Sequence, residues 1–170
     1  MSKPTVADFS VEQVLFSLAT NVDNRYLYYV SHYFVTLGEV CVSDIYQSIA
    51  VDMHNNTYHN QMLWLNFALP VFYQDLLSLS KQLEQQHDRQ NFTKPLVSLD
   101  IDIIAVKTQN VLNTQKDEKN QTFIKLENNW YGIDRRLPLA DYDKICYDNL
   151  CQKILQTLSQ PISQTLPNLV

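Results

Sequence analysis

Two glycines, Gly38 and Gly132, are all that these 170 residues contain. A loop that cradles phosphate on its backbone N–H groups needs several, so P-loop and dinucleotide-fingerprint readings are excluded. Cysteine is scarce too: Cys41, Cys146 and Cys151 make an odd count. Cys146 and Cys151 lack the second Cys/His pair a zinc site needs, and His32, His54, His59 and His87 are scattered. Reduced thiols and a cytoplasmic setting are expected. No apolar run reaches the length of a membrane span, and Met1–Ser10 lacks the basic-then-apolar layout of a signal peptide. Positive charge is in deficit, with 13 Lys+Arg against 18 Asp+Glu. A net charge of -5 argues against a partner bound by neutralising nucleic-acid phosphates. What remains is ordinary globular material, 45% hydrophobic, expected to form one domain over 1–170.

Periodicity organises that domain. Val14–Leu18 reads as a buried strand, closed by the turn Ala19-Thr20-Asn21. Leu27, Val30, Phe34 and Leu37 have helical spacing, and Gly38 is a stop signal. Val40–Tyr46 alternates as a second strand, Ser48–Tyr58 is polar enough for a loop, and Met62–Leu69 suits a third strand closed by Pro70. Phe72, Leu76, Leu79 and Leu83 mark a second amphipathic helix to about His87, before a polar loop and the strand Leu99–Val106. This β-α-β-β-α-β order is the ferredoxin-like pattern: an α+β fold with helices on one face of an antiparallel sheet, the other face left for a site. The motif-bearing core spans 13–107. A variable C-terminal extension, 108–170, holds an exposed stretch at Gln109–Asn120, a strand at Phe123–Trp130, a helix at Tyr142–Leu158 and an irregular tail.

Asp100-Ile101-Asp102 is the chemical anomaly. On a strand, Asp100 and Asp102 share one face while Leu99, Ile101 and Ile103 take the other. Two carboxylates side by side in an apolar strand repel each other and lose hydration, which calls for a cation between them. Mg²⁺ is the natural candidate, since it takes one or two carboxylates and completes its shell with water and phosphate oxygens. Taken singly, Tyr58 and Asn60 would be ordinary loop residues and Glu84 a solvated helix charge.

Their order along the chain says more. Ala19-Thr20-Asn21, then Ser-Asp-Ile-Tyr-Gln-Ser (43–48), then Tyr58-His59-Asn60, then Leu83-Glu84-Gln85-Gln86-His87-Asp88-Arg89, then Asp100-Ile101-Asp102 resembles the hydroxymethyldihydropterin pyrophosphokinase family. The resemblance covers roughly Val14 to Val106. It implies Mg²⁺-dependent transfer of pyrophosphate from ATP to a pterin alcohol, a step of folate biosynthesis, with hydroxymethyldihydropterin as the second substrate. It implies Asp100 and Asp102 as ligands of two Mg²⁺ ions, and Ser48, Ile49, Ala50, Val51, Tyr58 and Asn60 around the pterin. In the same way Glu84 and Ile103 fall to the nucleotide, and Arg89 and Lys94 to the transferring phosphates.

The chain departs from the family between 88 and 97. That segment is short, and Leu96-Val97 stands where a Pro-Arg pair is expected. Lysine is a point charge and does not replace a bidentate arginine clamp. Downstream, Leu137-Pro138-Leu139-Ala140 lacks the histidine of a family Pro-His element. The resemblance therefore also accommodates a degenerate paralogue that holds pterin, nucleotide or a protein partner without turnover.

Overall fold

The computed structural model describes residues 9–49, 56–112, 122–157 and 166–169. Strand β1 (Ser10–Thr20) forms its axis, because both of its faces are apolar: Phe16 and Leu18 on one side, Leu15 on the other, all without solvent exposure. Helix α1 (Arg25–Val35) follows, then β2 (Gly38–Val42), β3 (Tyr46–Ile49) and β4 (Thr57–Phe72). Helix α2 (Tyr73–Gln86), β5 (Asp100–Lys107), β6 (Phe123–Lys125), β7 (Trp130–Ile133) and α3 (Asp141–Thr157) complete the order. The seven strands pair antiparallel in the order β2-β4-β1-β5-β7-β6, with β3 also on β4. The α+β class expected from periodicity is therefore present, with three strands rather than two between α1 and α2. Among the described residues no helix is long and apolar enough to cross a membrane.

Helices α1 and α2 cover one face, where Leu27, Val30, Phe34, Leu76 and Leu83 pack on Phe16, Leu63, Leu99, Ile101 and Ile103. The opposite face is not left open. Cys146, Tyr147, Leu150 and Ile154 of α3 pack there on Leu15, Met62, Trp64 and Ile104. The apolar residues of this second cluster need their own cover, and the C-terminal extension supplies it. Asp44 tethers the helix from the β2–β3 connection: its N–H donates to Asn149 Oδ1 at 2.7 Å, and its carboxylate pairs with Lys153 at 2.6 Å.

Four local expectations change. Ser48 and Tyr58 lie in a ladder rather than a loop, since β3 pairs with the start of β4 as Ser48↔Tyr58 and Tyr46↔Asn60. The expected single strand Val40–Tyr46 breaks after Val42, where Ser43 turns its side chain into the ladder and accepts from the Met62 N–H at 2.9 Å. Pro70 does not end β4. Val11 pairs with Val71 but Gln13 with Asn66, so Phe67–Pro70 bulges opposite Glu12 alone, and a residue without an N–H is tolerated there. Phe123–Trp130 is no single strand but a hairpin of β6 and β7, turned by Asn128 and Asn129 at φ 56° and 62°, the left-handed region that asparagine tolerates. Gly38 is demanded by close approach, because a Cβ there would lie 2.0 Å from the Asn66 carbonyl oxygen.

Candidate functional site

The end of β1 organises the site through its turn. Asn21 acts as a two-ended clamp on the segment before β5: its Nδ2 donates to the Pro95 carbonyl at 2.7 Å and its Oδ1 accepts from the Val97 N–H at 2.6 Å. The Asn21 N–H adds a bond to the Val97 carbonyl at 3.0 Å. These contacts fix where β5 begins, and therefore where Asp100 emerges. Glu84 reinforces the same start from α2. It is buried, accepts from the Ile101 N–H at 3.0 Å and pairs with Lys81 at 2.9 Å. Its carboxylate is thus not a solvated helix charge.

Strand register then sets two parallel rows of side chains on the α3 side of the sheet. Asn60, Ala19 and Asp100 are cross-strand partners, and Met62, Ser17 and Asp102 form the next row inward. Leu99, Ile101 and Ile103 point to the α1–α2 core, as the alternation predicts. Above the rows lies a cavity of about 460 Å³. Ser48, Ile49, Tyr58 and Asn60 line one side of it, Asp100 and Asp102 the other, and Tyr142 and Asp143 enter from the first turn of α3. Small Ala19 leaves the floor open between the two sides. The Asn60 amide nitrogen is spent on Ser48 Oγ (2.8 Å) and the Tyr46 carbonyl (3.2 Å). Among the described residues its side-chain carbonyl oxygen accepts no hydrogen bond, so it is the part left for a ligand, as an acceptor.

Charge is unevenly balanced in this cavity. Burial, and then the Asp100 charge, push the Asp102 carboxyl up to about 6, with partial relief from Arg136. Burial likewise raises Asp143, against the hydrogen bond it accepts from Ser17 Oγ at 2.6 Å. Two arginines answer. Arg136, on the single 3-10 turn Asp134–Arg136 after β7, donates directly to Asp102 Oδ1. Arg89 lies 3.7 Å from Asp100 Oδ1 and donates to the Leu99 carbonyl at 3.1 Å.

A second cavity, about 420 Å³, opens on the α2 side between Leu77, Lys81, Ile103 and Arg135. Asp102 belongs to the walls of both cavities, which therefore share this part of β5 as a wall.

Of the residues picked out by the sequence, Ser48, Ile49, Tyr58, Asn60, Asp100 and Asp102 come together in the first cavity, and Ile103 faces the second. Ala50 and Val51 lie outside the described residues. Glu84 and Lys94 line neither cavity; Lys94 is exposed on the turn before Pro95. Sequence reasoning missed Asp143, Tyr142 and Arg136 as site residues. All three belong to the C-terminal extension, and only the adjacency of Asp141-Tyr142-Asp143 to a predicted helix start could have drawn notice. Carboxylate oxygens on a shared strand face suit a hard divalent cation such as Mg²⁺. Among the described residues no three His, Cys, Asp or Glu side chains converge as a metal cage.

Residues 15–135, well over half of the chain, match the model of the 7,8-dihydro-6-hydroxymethylpterin-pyrophosphokinase family. The matched span runs from β1 through β5 to the turn that carries Arg135 and stops just before Arg136. No curated protein matched the chain. With its motifs assembled at one end of the sheet, the chain belongs to the 7,8-dihydro-6-hydroxymethylpterin-pyrophosphokinase family.

Proposed function

We propose that this protein transfers a pyrophosphoryl group from ATP to 6-hydroxymethyl-7,8-dihydropterin, working as one domain. The observation that carries the reading is the position of Asp102 in the wall of both cavities. A two-substrate transfer needs two compartments that touch where the reacting atoms meet, and bringing those atoms together supplies much of the rate. The pterin fits the cavity of Tyr58, Asn60 and Ser48, with Ile49 and Tyr142 also in its lining. A flat heteroaromatic ring gains from aromatic walls, and its N–H groups meet the free Asn60 oxygen. The nucleotide takes the α2-side cavity, its base against Ile103 and its phosphates toward Lys81, Arg135 and the aspartates. Glu84 acts beneath it by holding the start of β5.

Asp100 and Asp102 would hold the Mg²⁺ ions, which when bound would neutralise triphosphate charge. The remaining work is positioning and charge stabilisation, with Arg89 and Arg136 facing the transferring phosphates and Lys94 free to reach them from its turn. The pterin hydroxymethyl oxygen bonds to the β-phosphorus and gives up its proton to water as the α–β bridge breaks and AMP leaves.

Leu96-Val97 in place of a Pro-Arg pair favours a second reading, binding without turnover. Calorimetry with hydroxymethyldihydropterin, Mg²⁺ and a non-hydrolysable ATP analogue tests the binding, and AMP release from ATP tests the transfer. Pterin-dependent AMP release is the expected result. Pterin binding without AMP selects the second reading, and binding of neither ligand overturns both.

A further inference from the structure

Three carboxylates border the first cavity, Asp100 and Asp102 from β5 and Asp143 from α3. Among the described residues, the cations within ion-pair distance of the aspartate pair are Arg89 and Arg136. They are held differently. Arg89 spends part of its fork on the Leu99 carbonyl, so it is anchored to the backbone where β5 begins. Arg136 makes no other hydrogen bond among the described residues, and its guanidinium, one third exposed, rests on Asp102 Oδ1 alone. It rides a single 3-10 turn whose preceding residue, Arg135, lines the other cavity. The turn therefore puts one arginine in the wall of each cavity, Arg136 in the first and Arg135 in the second.

A guanidinium stays protonated at every accessible pH and is weakly hydrated, which makes it an effective long-term partner for a half-buried carboxylate. It also presents its N–H groups to the oxygen a divalent cation would need. Both cations cannot occupy Asp102 Oδ1, because like charges at contact distance repel.

We propose that Arg136 is the resident counter-ion of the aspartate pair, holding the cation's seat on Asp102 until metal and nucleotide arrive together and turn the guanidinium onto phosphate. This rests on the proposal that Asp100 and Asp102 bind a divalent cation with the nucleotide. Metal alone must expel Arg136 from Asp102 with only Asp143, whose Oδ1 already accepts from Ser17, left beside it as a partner, so it binds weakly. Metal with triphosphate gives Arg136 a new anionic partner, so the two ligands favour each other, each raising the other's affinity by the same factor.

Mn²⁺ is the probe, its binding to the full chain followed by electron paramagnetic resonance with and without a non-hydrolysable ATP analogue. The proteins are wild type, Arg136→Gln, Arg136→Lys and Asp100→Asn. Without nucleotide, Arg136→Gln is expected to bind Mn²⁺ about five-fold or more tightly than wild type, within the usual range of coupling between sites. With the analogue the advantage reverses, because Gln cannot pair with phosphate. Arg136→Lys falls between the two. Equal or weaker Mn²⁺ binding by Arg136→Gln without nucleotide overturns the inference, whether or not the analogue still binds. If wild type and Asp100→Asn bind Mn²⁺ alike in the presence of the analogue, the aspartates are not the metal site and the proposed function falls with the inference. Nucleotide-enhanced binding that Asp100→Asn abolishes, but that ignores Arg136, removes the inference alone.

Discussion

Asp102→Asn is expected to stabilise the metal-free protein near neutral pH while abolishing its divalent-cation binding. The folded-state carboxyl titrates at about 6 against an ordinary value of 3.8, chiefly because of burial and then because of the Asp100 charge. A raised carboxyl means that the folded chain binds the proton more tightly than the unfolded chain. Stability from this group is therefore complete below about pH 4 and is lost as the pH rises through about 6. A shift of about two units corresponds to about 3 kcal/mol. Asparagine removes that cost, which is already net of the attraction to Arg136, so the expected gain is about 2–3 kcal/mol above pH 7. Urea unfolding of both proteins in chelator, at several pH values from 4 to 8, measures the difference. It should be near zero at pH 4 and grow to its full size by about pH 7. A difference that is absent at pH 7.5, reversed there, or independent of pH would refute the reasoning. A site whose ionised form is unstable without its ligand is a common trade between function and stability.

Other substitutions separate the clamps from the ligand walls. Asn21→Ala removes both bonds that hold Pro95 and Val97, and should cost about 1–3 kcal/mol in urea unfolding while speeding amide exchange at Val97. Glu84→Ala leaves the buried Ile101 N–H without its partner, with a loss of similar size, about 1–3 kcal/mol. Tyr58→Ala removes one aromatic wall, worth about 1 kcal/mol, so calorimetry should show pterin affinity reduced several-fold with Mn²⁺ affinity unchanged.

Much of the site was legible because it depends on local pattern. The alternation of Leu99, Ile101 and Ile103 against Asp100 and Asp102 reports strand faces directly, and the structure places them so. The spacing of Leu27, Val30 and Phe34 reports the buried stripe of α1 in the same way. The errors cluster where pairing overrides local preference. Ser48 and Tyr58 look like loop residues until β3 lies beside β4, and Pro70 looks like a terminator until the bulge opposite Glu12 removes the need for its N–H. Glu84 looks solvated because nothing on its own helix shows that the Ile101 N–H waits beneath it.

By itself, the sequence determined the class of chemistry. With two glycines it cannot build a glycine-rich phosphate loop, and with two carboxylates on an apolar strand face it needs a cation. Only the tertiary structure decided what surrounds that pair. Asp143 reaches Ser17 across 126 positions of chain, and Arg136 reaches Asp102 across 34. The sharing of Asp102 between two cavities depends on how α2 and α3 pack on opposite faces of one sheet. Local periodicity specifies which face of an element is apolar, but not which distant element will cover it. That choice is made by the packing of the whole chain.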